Sequence, residues 1–553
     1  MIRRHLCHLT GIGLLMLALA TLCAGEAAAA TLTVCRSGCA FTQIAPAVAA
    51  AGAGDTVSVA AGSYKGGFQI TKDLSLVGAG ANRTTITGGG PVITVGTFGA
   101  AGEPTVSISG VTVTGGLTTS SDQSDVFFGD PNVWAIGGGI YVPFAAGFTP
   151  GATLTITDSV VTGNQVSPTS TAPIGPPCPG GVPCPFAEAA GGGIGDEGSV
   201  TLVRTRVTNN QSAGGTTSDA DGAGVWIARG GALTMRDSTV GGNLAQASDP
   251  NGRFAEGAGI FAVFQATVVI SDSSVSGNTA RLTSSLPFFI GGGDVLELGA
   301  HAGGIHMGDG GSLTISDSHV DGNTVSAADP NGQLEVFDAG LCVCGNGSTL
   351  SLRDSSVSGN RLTALMATNG DLFQELGLAG GGAFEIDGPA TVDDTLIAGN
   401  TSLVVGLSGP IVTNGTVLDF TTPDTAPGVI SDSMISDNAV AVISPGPATM
   451  LGGGVFDAGV LELRGDRIRN NVERANAAGG NVQGGGIWAG PIPGTPFPVQ
   501  LTVEGSTVTR NVLSGSNSSI LLQGGGLFTT VPVTLTDSLI VKNTPDNCSG
   551  VSC

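Results

Sequence analysis

Apolar and polar residues alternate in short bursts along this chain of 553 residues, and one burst recurs eleven times. Its clearest copy is Leu313-Thr314-Ile315-Ser316-Asp317-Ser318-His319-Val320-Asp321-Gly322-Asn323. The pattern is apolar-x-apolar, a polar turn that often reads Asp-Ser, then Val or Ile, two residues, and Asn. The closing residue is Asn164, Asn210, Asn243, Asn278, Asn323, Asn360, Asn400, Asn438, Asn471, Asn511 and Asn543, at intervals of 32 to 46 residues. A constant phrase with elastic spacing marks a solenoid whose core repeats while its loops vary.

A glycine cluster followed by an apolar residue precedes each copy. Examples are Gly137-Gly138-Gly139-Ile140, Gly257-Ala258-Gly259-Ile260, Gly303-Gly304-Ile305 and Gly484-Gly485-Gly486-Ile487. Each repeat therefore holds three short strand-like pieces: after the glycines, at apolar-x-apolar, and at Val/Ile before Asn. None is long enough to stand alone, so stacking into three parallel sheets around one apolar interior is predicted. Side chains alternate across a strand, which turns Leu313, Ile315 and Val320 inward and Thr314 outward. The recurring Asn is expected to form a ladder, each amide in a turn and bonded to the coils on either side. The recurring turn acid of Asp158, Asp237, Asp272, Asp317, Asp354, Asp394, Asp432 and Asp537 is read as turn chemistry.

The N-terminal part differs. Residues 1–30 have a basic start at Arg3 and Arg4, an apolar stretch from Gly11 to Leu22 and a small-residue site at Ala28-Ala29-Ala30, the pattern of a secretory signal peptide. Cys23 raises a lipoprotein alternative, against which the large Leu22 before it speaks. No later stretch is apolar for long enough to cross a bilayer. Residues 31–105 are expected to form an N-terminal cap and the first coils, with a capping helix over Phe41 to Ala51. The repeats then occupy 106–543, and 544–553 form a tail that closes the last coil.

The run Cys39-Ala-Phe-Thr-Gln-Ile-Ala-Pro-Ala-Val, then Gly54-Asp-Thr-Val, Ala61-Gly-Ser-Tyr and Leu76-Val-Gly resembles the opening segment of pectin-lyase-like proteins. The glycine cluster paired with the x-x-Asn phrase is similar to the repeats of polymorphic outer membrane proteins. The chain departs from those repeats in carrying Val or Ile, as at Val275 and Ile435, where they usually have Phe. The resemblance covers nearly all of 31–543. It implies an all-β chain folded as a right-handed parallel β-helix solenoid of about thirteen or fourteen coils, roughly 65 Å long at sheet spacing. It implies no particular activity.

Charge narrows the partners. Without Arg3, Arg4 and Glu26 the chain carries 18 basic and 42 acidic residues, a poor surface for nucleic acid. A polysaccharide or a cell-surface protein remains as partner, and a monomer is expected. Eight cysteines follow the signal in close pairs: Cys35/Cys39, Cys178/Cys184, Cys342/Cys344 and Cys548/Cys553. Local disulfides in an oxidising compartment are expected for the first, second and fourth pairs. Zinc is the rival reading of paired cysteines and needs four ligands close together. The single residue between Cys342 and Cys344 makes a direct bridge there strained.

Chemistry is less legible. The mature chain's histidines are His301, His306 and His319, all in one repeat, and the strand pattern sets His306 and His319 on different faces. They are read mainly as solvated. The segments between Asn and the next glycines carry aromatic rings and acids together: Asp249, Phe254 and Glu256; Phe288, Phe289, Asp294 and Glu297; Glu335, Phe337 and Asp338; Asp371, Phe373 and Glu375. All leave the same corner, so they must stack along one side of the rod, as a lid or as an aromatic and acidic groove that binds a ligand. No cofactor is expected; Asp219-Ala-Asp221-Gly offers calcium too few donors by itself. The leading expectation is a secreted or cell-surface protein with a structural, adhesin-like or glycan-binding role. The alternative is a polysaccharide lyase or hydrolase, which would need a tight set of acid and base groups in that groove.

Overall fold

The computed structural model describes residues 29–120, 133–168, 187–213, 219–248, 254–284, 298–332, 334–345, 347–367, 379–419, 427–491 and 498–553. Every strand pairs in parallel with its counterpart one coil away, as Ser312–Ser316 does with Thr267–Ser271 before it and Thr349–Arg353 after it. The result is a right-handed parallel β-helix, the hand that parallel crossovers adopt. Its longest sheet holds fifteen strands, from Thr31–Val34 to Val533–Thr536, one or two more than the repeat count implies.

The three expected sheets are present and two more accompany them. In the coil of Asn323 the first three hold Ile305–Met307, Ser312–Ser316 and His319–Asp321. After the Asn the chain continues into Thr324–Asp329, and before the next glycines it returns along Glu335–Phe337. These pieces stack into two further sheets of eleven strands each. The segments expected to be loops are therefore framed by strands, and they form a fin along the body. The fin has its own interior, mostly of alanines such as Ala245, Ala255, Ala280 and Ala300 in its first coils and of larger residues such as Leu362, Met366 and Met450 further on. The sequence hid this because an alternation of Ala, Ser and Thr carries little contrast between its two faces.

The body core is built as the alternation dictates. Leu313, Ile315 and Val320 are buried, together with Ile305 and Met307 from the sheet after the glycines. The turn acids Asp158, Asp237, Asp272, Asp317, Asp354, Asp394, Asp432 and Asp537 all sit at φ between 44° and 49°. Asp tolerates this left-handed conformation because its short side chain bonds locally. The capping helix, α1, spans Ile44–Ala50 and buries Ile44, Ala47 and Val48. It is shorter than expected because Phe41 pairs with Val34 as an isolated bridge. At the other end Cys548–Ser549 adds a strand beside Leu527–Thr529.

The recurring Asn side chains form a continuous buried file. Asn323 Nδ2 donates to Asn360 Oδ1 at 3.1 Å and to the Val275 carbonyl at 3.0 Å. Asn323 Oδ1 accepts both the Asn278 backbone N–H and Asn278 Nδ2, each at 3.0 Å. The same bonds join each Asn to the next from Asn164 through Asn543, and Asn543 passes the pattern to Asn547. The glycine cluster and the Asn are two halves of one joint. A Cβ at Gly304 would collide with the Gly340 carbonyl and lie 2.9 Å from Asn323 Nδ2.

A second file went unseen in the sequence. The Ser or Thr after each turn acid accepts a backbone N–H from the preceding coil and donates to the carbonyl two residues back, as in Ser273, Ser318 and Ser355. Asp466 occupies this position in one coil. Its Oδ1 accepts the Ser433 N–H at 2.9 Å, while its Oδ2 is buried without a hydrogen-bond partner among the described residues. Only a protonated carboxyl can donate as the hydroxyls do. Burial pushes this carboxyl up to about 8, and it also pushes Asp196, in a core-facing strand position, up to about 7. Both groups hold a proton in the fold at pH values where the unfolded chain has lost it, so their contribution is present in acid and lost as pH rises toward 7–8. We expect the melting temperature to fall between pH 5 and 8. Asp466→Ser should raise it at pH 8 and flatten the slope; a steeper slope in the variant would contradict this origin.

Candidate functional site

The fin meets the body at a re-entrant corner, and there the second fin sheet faces the strands that follow the glycines. In each fin strand the middle residue, such as Ala255, Ala300 or Val336, points into the fin, so its neighbours on either side point into the corner. In each body strand the first and third residues face the core, so the middle one points into the corner. That middle position reads Tyr141, Gly195, Trp226, Phe261, His306, Cys342 and Glu385 and, beyond the strand Val417–Asp419, Phe456, Trp488 and Phe528. Aromatic rings fill both ends of the file. Phe456 and Trp488 stack face to face with centroids 4.7 Å apart, and Tyr141, Trp226 and Phe261 pack with Phe144 and Ile136.

Between the aromatic stretches lies a band of acids and imidazoles. The inner fin position carries Asp221, Glu256, His301 and Phe337 in register. His301 Nδ1 meets Glu256 Oε1 at 2.8 Å, with both side chains largely buried. The His301 ring is tilted against Phe254 at 5.9 Å and Phe337 at 5.3 Å, and it lies parallel to His306 at 6.5 Å. His306 in turn stacks on Phe261 at 4.8 Å. Gly299 makes room for the imidazole, since a Cβ there would come within 2.8 Å of His301 Nε2. His301 Nε2 and His306 Nδ1 are buried and have no hydrogen-bond partner among the described residues.

The local field separates these groups by protonation state. Burial alone would lower His301, but its bond to Glu256 and the charges of Glu256 and Glu335 more than offset it, and its affinity for a proton rises. Burial alone would raise Glu256, and the His301 bond with both imidazoles brings it below its ordinary value. The two form a buried ion pair. Burial lowers His306, which stays neutral. Burial, with Asp219 and Glu256 nearby, holds Glu188 well above the carboxylate range; burial and Glu188 do the same to Asp221. Asp338 and Glu385 are raised well, first by burial, and lie against each other. Glu256, ionised against His301, thus stands beside the neutral acids Glu188 and Asp221 and the neutral imidazole of His306, the division of states that acid–base chemistry uses.

The reading of His301 and His306 as solvated is overturned: the fin strand carries His301 back across the corner to the body. His319 lies on another sheet and is exposed, as the alternation places it. Of the groove residues expected from sequence, Phe254, Glu335 and Phe337 lie in the fin sheet around His301. Asp249, Phe288, Phe289, Asp294, Asp371 and Phe373 lie outside the described residues, as do Cys178 and Cys184. Cys35 is bonded to Cys39 and Cys548 to Cys553, and the sulfurs of Cys342 and Cys344 are also in bonding contact. Sequence reasoning passed over Glu188 and the His306–Cys342–Glu385 file. Aligning the second residue after each glycine cluster would have exposed the file as a gap in an aromatic row.

Among the described residues no helix is long and apolar enough to cross a membrane. No known protein family and no curated protein matches the chain. Among solved structures it is similar to the pectin methylesterase PemA of Erwinia chrysanthemi, at 15% identity over 60% of this chain and 80% of that one, with a TM-score of 0.20. It is similar to the A-module of the mannuronan C-5 epimerase AlgE6 of Azotobacter vinelandii, at 12% identity over 92% of both chains and a TM-score of 0.21. The surface protein and adhesin PfbA of Streptococcus pneumoniae shares 13% identity over 90% of this chain and 94% of its own, also at 0.21. Scores this low carry no argument, and the architecture rests on the parallel sheets themselves.

Proposed function

We propose that the protein is a secreted or cell-surface β-helix protein that binds a polysaccharide along the corner between fin and body and carries out acid–base chemistry on it. The observation that carries this reading is the Glu256–His301 pair, at 2.8 Å, set among protonated carboxyls. Glu256 fixes the imidazole through Nδ1 and leaves Nε2 as the group that exchanges a proton with a ligand. Asp221 and Glu188 are the acids that can donate one. The aromatic residues on both sides of the band are buried in apolar clusters of their own and fix the walls between which it lies. The apolar stretch before Ala30 and the local cysteine pairs support export to an oxidising compartment.

A panel of neutral and acidic polysaccharides, assayed for new reducing ends, unsaturated products, released ester groups and altered sugar configuration, tests it. At least one substrate should be converted by the wild type and much more slowly by Glu256→Gln. Binding without conversion across the panel, at an affinity that Glu256→Gln does not alter, would replace this reading with an adhesin-like one.

A further inference from the structure

Three consecutive coils put polar, metal-ligating side chains in this file. His306, Cys342 and Glu385 stand there in register, after Phe261 and two coils before Phe456. Cys344 follows two residues after Cys342, and its N–H is anchored on the Met307 carbonyl at 2.9 Å. Asp338 joins them from the corner before the strand. Eight other coils place a glycine with positive φ at that corner: Gly137, Gly191, Gly222, Gly257, Gly381, Gly452, Gly484 and Gly524. Asp338 takes the same conformation at φ 46°. Ala302 holds this place at φ 47° in the coil before, so two neighbouring coils carry a Cβ where the others have glycine, and of the two only Asp338 brings a side chain that can bind.

The side chains of this group converge. One donor atom from each of Asp338, Cys342, Cys344 and Glu385 lies within 4.8 Å of the others, and so do those of His306, Cys342 and Cys344. Ligands on a tetrahedral zinc ion sit about 3.3–3.8 Å apart, given bonds of about 2.0–2.3 Å, so small side-chain adjustments close the set. His306 Nδ1 is buried without a hydrogen-bond partner among the described residues. The fully buried Asp338 carboxyl finds no amide or hydroxyl donor there and rests against Glu385. A disulfide uses two sulfurs and accounts for neither of these. The bonding contact between Cys342 and Cys344 is the oxidised form of the same donor pair; a thiol or phosphine reductant, itself oxidised by two electrons, breaks that bond and frees both sulfurs as thiolates.

We propose that Cys342 and Cys344, with His306 and one carboxylate from Asp338 or Glu385, bind a divalent cation of the zinc class. Two thiolates and an imidazole select a borderline-soft metal over calcium or magnesium, which take oxygen. This proposal stands apart from the polysaccharide reading, since it uses neither Glu256 nor His301.

The test uses the full chain, reduced with a phosphine under anaerobic conditions, shown folded by circular dichroism, and titrated with Co2+ and then Zn2+. One equivalent of Co2+ should bind with tetrahedral d–d absorption and a sulfur-to-cobalt charge-transfer band, and Zn2+ should displace it. Cys342→Ser and Cys344→Ser should each abolish or sharply reduce that band. His306→Ala should weaken binding at least tenfold, as should Asp338→Asn or Glu385→Gln. The two carboxylate variants keep the test open should a cysteine variant fail to fold. The proposal is overturned by folded, fully reduced protein that takes up no Co2+. It is overturned equally by uptake without the charge-transfer band, by binding indifferent to His306→Ala or to both carboxylate variants, or by a cysteine pair that cannot be reduced without loss of the fold.

Discussion

Asn323→Ala is expected to destabilise the rod by roughly 2–5 kcal/mol, because it strands two buried donors at about 1–3 kcal/mol each and leaves a small void. The donors are the Asn278 backbone N–H and Asn278 Nδ2, both of which end on Asn323 Oδ1. The alanine N–H can still reach Asn360 Oδ1, which limits the damage on the following coil. Asn164→Ala should cost about half as much, since Asn164 Oδ1 receives one N–H, from Gly116, and no amide from an earlier Asn. Asn543→Ala should also cost less: that side chain is slightly exposed, so water can replace part of what is lost. Urea midpoints at constant slope give the ordering. Equal and negligible shifts at all three positions would remove the file as a source of stability. In a solenoid each coil contacts only its neighbours, so amide exchange in the Asn323 variant should accelerate first in the coils of Asn278 and Asn360.

The fold was legible where one residue type could do one job. A bonded file of amides needs Asn in every coil, and a left-handed turn favours Asp or Gly, so those positions recur, with Arg204 the departure at the turn, and can be read from the chain. The same holds for Leu313, Ile315 and Val320, whose alternation with polar neighbours marks the core face. The fin was not legible, because Ala245, Ala255 and Ala300 fill its narrow interior with side chains too small to contrast with the Ser and Thr outside. Once the fin strands are missed, the corner they make with the body is missed too. Asp221, Glu256 and His301 then read as polar residues in loops, although each is the inner-facing residue at the end of a short strand. Asp466 escaped for a related reason: a carboxyl in a file of hydroxyls looks like one more acidic surface residue until its burial is known.

His301→Ala is expected to lower turnover of a converted polysaccharide by about 10²–10⁴-fold, the range by which a positioned acid or base contributes. The loss should fall on kcat more than on KM, because the group removed moves a proton and the rest of the corner is unchanged. Glu256→Gln keeps the shape and a hydrogen bond to Nδ1 but removes the charge that stabilises the protonated ring, so its effect should be large and smaller than that of His301→Ala. His319→Ala is the control: its ring is exposed on another sheet beside Ser356 and Asp321 and should leave both parameters unchanged. Structural and chemical roles separate by rescue. If His301 only packs between Phe254 and Phe337, His301→Phe should restore turnover, since it replaces the ring area. If His301 moves a proton, His301→Phe should be as inactive as His301→Ala while melting close to the wild type, and added imidazole should recover part of the lost rate in His301→Ala alone, where the cavity can admit it.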